Sequence, residues 1–85
     1  MRTGQLVPYF LMASYLYYNI NIESPMSDEE YDVLCKRLYD EWDEIEHPHK
    51  HLIERDSLKS GTGFYINKYP TMVMGAALNW ANSYK

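Results

Sequence analysis

The stretch SDEEYDVLCKRL, residues 27–38, contains both the start of a helix and the beginning of an apolar stripe. Ser27 and Glu30, three positions apart, form a capping box. In this motif the serine oxygen accepts from the Glu30 backbone N–H, and the glutamate carboxylate accepts from the Ser27 N–H. Acidic residues in the first turn also suit the positive end of the helix dipole. The sequence therefore predicts a helix that begins at Asp28.

Apolar residues then recur at steps of three and four, which places them on one face of that helix. They are Tyr31, Leu34, Cys35, Leu38, Trp42 and Ile45. His47-Pro48 ends the pattern, because the residue before a proline is disfavoured in the α region. We predict a helix over about 28–46, with Leu38 and Trp42 buried and with Asp43 and Glu44 exposed.

A second helix is predicted over about 8–18, because Pro8 suits a first helical turn. Both of its faces are apolar or aromatic, so it should lie at the centre of the fold. Residues 19–25 form a loop. Shorter elements are predicted farther along: one helical turn within 49–54, turns at 56–57 and 61–63, an extended segment over 64–69, and a last helix over 71–81. The predicted fold class is mainly α: a small compact helical domain with two principal helices and short C-terminal elements.

The length of 85 residues suits a single domain spanning 1–85. The charged residues of the chain are unevenly distributed. Net charge is −4, and ten of the twelve acidic residues lie between 23 and 46. Such an acidic helix argues against a phosphate backbone along that face, so we expect no direct nucleic-acid partner. The apolar run 6–18 is too short to cross a bilayer, and no targeting segment stands out. We therefore expect a cytoplasmic protein without a membrane partner.

Few residues suggest catalysis or metal binding. Cys35 is the single cysteine and lies on the apolar stripe, which predicts a buried, inert thiol. The alternating histidines at 47, 49 and 51 lack the i, i+4 spacing of a helical metal pair, so no metal site is predicted. Gly61-Thr-Gly63 lacks the third glycine of a dinucleotide fingerprint and the lysine of a P-loop.

Asp28, Tyr31 and Asp32 stand at i, i+3 and i+4, so their side chains project from one side of the first helical turns. Two carboxylates beside an aromatic ring suit ribose hydroxyls and a flat cationic heterocycle such as nicotinamide. The alternative is that Tyr31 belongs to the core while the two aspartates serve the helix dipole. Spacing alone favours this alternative.

An ordered series of short motifs resembles the N-terminal Ia subdomain of NAD-dependent DNA ligases over about residues 8–63. The motifs are Leu16-Tyr17-Tyr18, a short loop with Pro25, Ser27-Asp28-Glu29-Glu30-Tyr31-Asp32-x-Leu34, Glu46-His47-Pro48 and Asp56-Ser57. The resemblance implies a small helical unit that binds the nicotinamide mononucleotide (NMN) half of NAD and is needed for adenylation of the enzyme.

The resemblance also implies site residues. Tyr17 and Tyr18 match the family's aromatic pair, which faces the nicotinamide nucleotide. Asp28, Tyr31 and Asp32 match the acidic-aromatic helix start that completes the pocket, so NAD or NMN is the implied ligand.

The sequence departs from the family pattern at two places. The proline-threonine pair that follows Asp-Ser in the family is Leu58-Lys59 here. The loop between Tyr18 and Asp28 is one residue longer than usual.

The family's ligases take AMP on the lysine of a Lys-x-Asp-Gly motif, and none of the five lysines of this chain lies in one. We therefore expect no enzyme activity from this chain alone, and no catalytic residue. The expected function is a nicotinamide-nucleotide-binding module that acts alone or in trans with an adenylation domain. The alternative is a small acidic interaction or inhibitor protein that contacts a partner or host enzyme through Asp40, Glu41, Asp43 and Glu44.

Overall fold

The regular structure consists of helices, and the described residues include no β-strand. The structure is a computed structural model that describes residues 2–61, 65–66 and 68–83. The three α-helices are α1 (Leu6–Ser14), α2 (Asp28–Asp40) and α3 (Thr71–Asn82). Short 3₁₀ helices lie at Thr3–Gln5, Trp42–Glu44, Lys50–Leu52 and Arg55–Ser60. The mainly α class is confirmed.

Helix α1 lies at the centre of the fold, as its apolar faces predicted. Phe10 is fully buried and stacks on Tyr31 of α2, with ring centroids 5.6 Å apart and planes inclined by 18°. Tyr9 meets Trp80 of α3 edge to face, at 5.2 Å. The helix begins at Leu6 rather than at Pro8. Its α-helical geometry ends at Ser14, and the chain continues as a π-helical turn over Tyr15–Asn19.

Helix α2 begins at the predicted capping box. The Glu30 backbone N–H donates to Ser27 Oγ at 3.2 Å, and the Ser27 N–H donates to Glu30 Oε1 at 3.0 Å. The hydrogen bond from the Ser27 backbone N–H, together with the Ser27 hydroxyl, lowers the pKa of the Glu30 carboxyl. Leu34, Cys35 and Leu38 are buried in the core, where α2 packs against α1 and the Arg55–Ser60 helix, which confirms this part of the predicted stripe.

The predicted end of α2 was wrong, because the helix ends at Asp40 rather than near residue 46. Side chains from later in the chain bind carbonyl groups at this end. Arg55 Nη2 donates to Tyr39 O at 3.4 Å, and Lys50 Nζ donates to Trp42 O at 2.6 Å. Lys50 Nζ also lies 4.6 Å from the centroid of the Trp42 ring. Since these carbonyls have partners, the chain can leave the α conformation without losing hydrogen bonds.

The early end of α2 also changes the burial of its last predicted residues. Trp42 is half-buried, not buried as predicted: it packs against the edge of the core, and Lys50 lies over its ring. Ile45 reaches the core from an extended backbone, with φ −83° and ψ 123°. Asp43 and Glu44 are exposed, as predicted.

The second half of the chain contributes short 3₁₀ helices and one further α-helix. The Arg55–Ser60 helix packs against α2, and α3 packs against α1. The predicted helical turn within 49–54 is confirmed as the 3₁₀ helix Lys50–Leu52, and the predicted last helix is confirmed as α3. Asp56 and Ser57 lie inside a 3₁₀ helix rather than in an isolated turn. Residues 62–64 and 67 lie outside the described residues, and with them most of the predicted turn at 61–63 and part of the extended segment at 64–69.

The helices of the described residues include none that is long and apolar enough to cross a membrane.

Candidate functional site

The start of α2 holds three of the predicted site residues at fixed positions. The capping box sets the first turn, and Asp28, Tyr31 and Asp32 follow on adjacent turns of the same helix side. Asp28 and Asp32 are exposed, whereas Tyr31 is half-buried. The two carboxylates are therefore available to a ligand in solution.

The π-helical turn after α1 positions the other two predicted residues. The Ile20 N–H donates to Tyr15 O at 3.2 Å, and the Ile22 N–H donates to Leu16 O at 2.7 Å. Tyr15 and Leu16 stay buried, while Tyr17 and Tyr18 turn outward with 64% and 38% of their surface exposed. Their rings meet edge to face, with centroids 4.7 Å apart. Single π-helical turns of this kind occur frequently at functional sites.

All five predicted residues line one cavity of about 210 Å³, which we call the tyrosine–aspartate cavity. Its described lining consists of Ala13, Tyr17, Tyr18, Ser24, Met26, Asp28, Tyr31, Asp32 and Gly61. The volume lies below the roughly 300–1,000 Å³ of most small-molecule sites. A nucleotide would therefore place one end in the cavity and extend beyond its mouth.

Tyr31 packs against the core and also lines the wall of the cavity. Its ring stacks on Phe10, and its hydroxyl is hydrogen-bonded to the hydroxyl of the fully buried Ser14 at 2.9 Å. Burial raises the pKa of the Tyr31 hydroxyl well above its usual range, so the group is neutral at physiological pH. Tyr31 therefore offers a ligand a rigid, uncharged aromatic surface.

The ionisable groups of this cavity make it suitable for cations and hydroxyl groups. Among the described residues that line it, Asp28 and Asp32 are carboxylates and none is basic. Ionised carboxylates accept hydrogen bonds from hydroxyls, and tyrosine faces attract cations. The arrangement favours a ligand with a flat positive group and a polyhydroxylated part.

Gly61 completes the cavity, although the sequence indicated only a turn at this position. Its φ of 65° lies in the left-handed region that favours glycine, and a Cβ added there would lie 3.4 Å from Asp32 Oδ1. The left-handed backbone therefore favours glycine at this turn after the Arg55–Ser60 helix, beside the Asp32 carboxylate. Ala13, Ser24 and Met26 carried no sequence signal, because their place in the cavity depends on how α1 and the loop before α2 pack.

Cys35 and the histidines are other side chains of the described residues that could carry chemistry. Burial raises the pKa of the Cys35 thiol to about 12, so the predicted inert thiol agrees with its position. The rings of His47 and His49 lie 5.4 Å apart, and the His49 N–H donates to His47 Nδ1 at 3.1 Å. The described residues contain no group of three histidine, cysteine or acidic side chains placed to hold a metal ion.

Comparison of the chain with family models, with curated proteins and with solved structures found no match. The likeness to the ligase Ia subdomain therefore rests on the ordered motifs of the sequence.

Proposed function

We propose that this protein binds a nicotinamide nucleotide in the tyrosine–aspartate cavity. One observation carries the proposal: residues from two separate segments, chosen from the sequence, line a single cavity. Tyr17 and Tyr18 come from the π-helical turn, and Asp28, Tyr31 and Asp32 come from the start of α2.

Each side chain has a role that follows from its position. The exposed rings of Tyr17 and Tyr18 flank the nicotinamide, whose positive charge is attracted to aromatic faces and to the two carboxylates. Tyr31 forms the fixed wall, because Phe10 and Ser14 hold its ring and its hydroxyl. Asp28 and Asp32 accept hydrogen bonds from the ribose hydroxyls.

Calorimetric titration with NMN and with NAD tests this proposal. We expect saturable binding of NMN and a loss of about tenfold in affinity for Asp32→Ala, since a hydrogen bond to a charged group contributes on that scale. Asp43→Ala is the matched control, because Asp43 is exposed and lies outside the described cavities. Absence of heat at millimolar ligand, or equal affinity of Asp32→Ala and the unmodified protein, would reject nucleotide binding.

A module that holds the nicotinamide half of NAD can present the whole dinucleotide to a separate adenylation domain, whose lysine takes the AMP while NMN leaves. The chain lacks the Lys-x-Asp-Gly motif that would accept AMP, so the acceptor lysine would come from the partner. Mixing the protein with a ligase nucleotidyltransferase fragment that lacks its own Ia unit tests this extension. We expect NAD-dependent adenylation of the fragment, which Asp32→Ala abolishes and Asp43→Ala leaves unchanged.

Binding of a partner or host protein is the second candidate, and a second cavity supports it. This apolar cavity of about 360 Å³ lies on another side of α2 and is lined by Leu6, Met26, Glu29, Glu30, Val33, Leu34 and Arg37. Val33 leaves 58% of its surface exposed there. The acidic face predicted from the sequence is less free than expected, because Glu41 accepts from Arg37 Nε at 2.8 Å and from Thr3 Oγ1 at 2.7 Å.

Affinity capture at low and raised salt distinguishes this second candidate. A stoichiometric partner that is lost with Val33→Asp, together with no binding of NMN, would favour it. Nucleotide binding without such a partner would reject it.

A further inference from the structure

A basic cluster lies beside the tyrosine–aspartate cavity, around the ring of Tyr39. Arg55 Cζ lies 4.7 Å and Lys59 Nζ 5.1 Å from the centroid of this ring. Lys36, which is three residues before Tyr39 on α2, lines the same groove as Lys59. Three of the eight basic residues of an acidic chain thus gather at one place.

The groove between α2 and the Arg55–Ser60 helix has room for a polyatomic ligand group. Its volume is about 460 Å³. We call it the Tyr39 groove, and its described lining consists of Asp32, Cys35, Lys36, Tyr39, Leu58, Lys59, Ser60 and Gly61.

The positive charges of this groove have no carboxylate partner among the described residues. The ion pair of the described residues joins Arg37 to Glu41, which do not line the groove, whereas Arg55, Lys36 and Lys59 each lie beyond ion-pair distance of the described acidic groups. Two cations held over one tyrosine ring repel each other, and an anion between them would relieve that repulsion. Lysine and arginine with a hydroxyl group such as Ser60 are the donors that phosphate oxygens prefer.

The groove and the tyrosine–aspartate cavity are continuous, because Asp32 and Gly61 line both. A ribose whose hydroxyls contact Asp32 carries its phosphate one methylene group from the sugar ring. That phosphate would lie on the side of the Asp32 carboxylate where Lys36 and Lys59 stand, and the carboxylate itself would face the ribose.

We propose that the Tyr39 groove binds the phosphate of the nucleotide whose nicotinamide and ribose occupy the tyrosine–aspartate cavity. Lys59 and Lys36 are the principal donors, and Arg55, which lies over the Tyr39 ring outside the groove lining, adds positive charge nearby. The inference rests on the proposed function for the identity of the nucleotide. The anion site itself follows from the basic groups and the volume of the groove.

A comparison of NMN with nicotinamide riboside, which lacks the phosphate, isolates the contribution of the groove. We expect NMN to bind about tenfold more tightly than the riboside, as charge-assisted hydrogen bonds to phosphate require. In Lys59→Gln, and separately in Lys36→Gln, this ratio should fall towards one while the affinity for the riboside stays the same. Lys68→Gln is the matched control, because Lys68 is exposed and lies outside the described groove.

Equal affinities for NMN and the riboside, or a ratio that Lys59→Gln leaves unchanged, would overturn the phosphate site while nucleoside binding still stands. If neither ligand binds, the proposed function fails, and inorganic pyrophosphate then tests the groove alone. Shifts of the Ser60 and Gly61 amide resonances that disappear in Lys59→Gln would support an anion site. No shift, or the same shift in Lys59→Gln, would overturn it.

Discussion

The hydrogen bond between Tyr31 and Ser14 joins the candidate cavity to the core, so Tyr31→Phe is the most informative single change. The substitution keeps the ring that stacks on Phe10 and removes only the hydroxyl that lies 2.9 Å from Ser14 Oγ. Ser14 has no exposed surface and cannot turn to water. A buried polar group that loses its partner costs about 1–3 kcal/mol.

The expected loss lies in the lower half of that range. A serine within a helix can bond instead to the carbonyl of the preceding turn, which recovers part of the cost. We therefore expect Tyr31→Phe to lower the free energy of unfolding by about 1–2 kcal/mol, which corresponds to a fall in Tm of roughly 4–16 °C for a domain of this size. Affinity for NMN should change little, because the ring remains in the cavity wall.

A double-mutant cycle with Ser14→Ala tests the magnitude. Ser14→Ala alone should cost less than Tyr31→Phe, since the Tyr31 hydroxyl lies beside the cavity. The double variant should be more stable than the sum of the single effects predicts, because neither polar partner remains unpaired. Urea denaturation gives the four free energies. A coupling energy within about 0.3 kcal/mol of zero would refute the hydrogen bond and the view that it holds Tyr31.

Three further predictions follow from burial, from pKa shifts and from the missing motif. Leu38→Asp should unfold the protein, because burying an unpaired charge at this fully buried position costs more than the whole free energy of unfolding of a small domain. Val33→Asp on the exposed side of α2 is the control, and its melting should stay cooperative; a cooperative melt of Leu38→Asp would contradict the packing of α2. Burial raises the pKa values of Cys35 and Tyr69 to about 12, above those of the unfolded chain, so the stability that they contribute is present below about pH 9 and is lost as pH rises towards 12. The free energy of unfolding, measured by urea denaturation, should fall across this range by up to about 1.4 kcal/mol per pH unit for each group, and less steeply above about pH 10 in Tyr69→Phe. A flat profile would show that these groups titrate as exposed ones. Incubated with NAD and magnesium, the protein should show no added AMP in its intact mass, and an AMP adduct on any lysine would contradict the expectation that this chain alone is not an enzyme.

The sequence by itself determined the features that depend on local chemistry. The capping box at Ser27 and Glu30 satisfies backbone groups within four residues, so its pattern was sufficient to place the start of α2. The apolar spacing that follows predicted the burial of Leu34, Cys35 and Leu38, because side chains three and four apart share a helix face. The continuous apolar character of α1 likewise predicted its central position.

The sequence predicted five of the residues that line the candidate cavity, but it did not predict that Gly61 would join them. The motifs around Tyr17 and Asp28 selected side chains that the fold brings to one cavity. Gly61 joins them because a left-handed backbone brings a distant segment beside Asp32, and no local pattern of the sequence specifies which helix a turn will approach.

Only the tertiary structure decided where α2 ends and where the basic cluster forms. Periodicity continued through Trp42 and Ile45, but Lys50 and Arg55 reach back from later in the chain and take carbonyls that a longer helix would have used. The same return of the chain sets Arg55 and Lys59 over Tyr39, next to Lys36. Contacts between residues this far apart depend on how the whole chain packs, whereas caps and helix faces are set within a few turns.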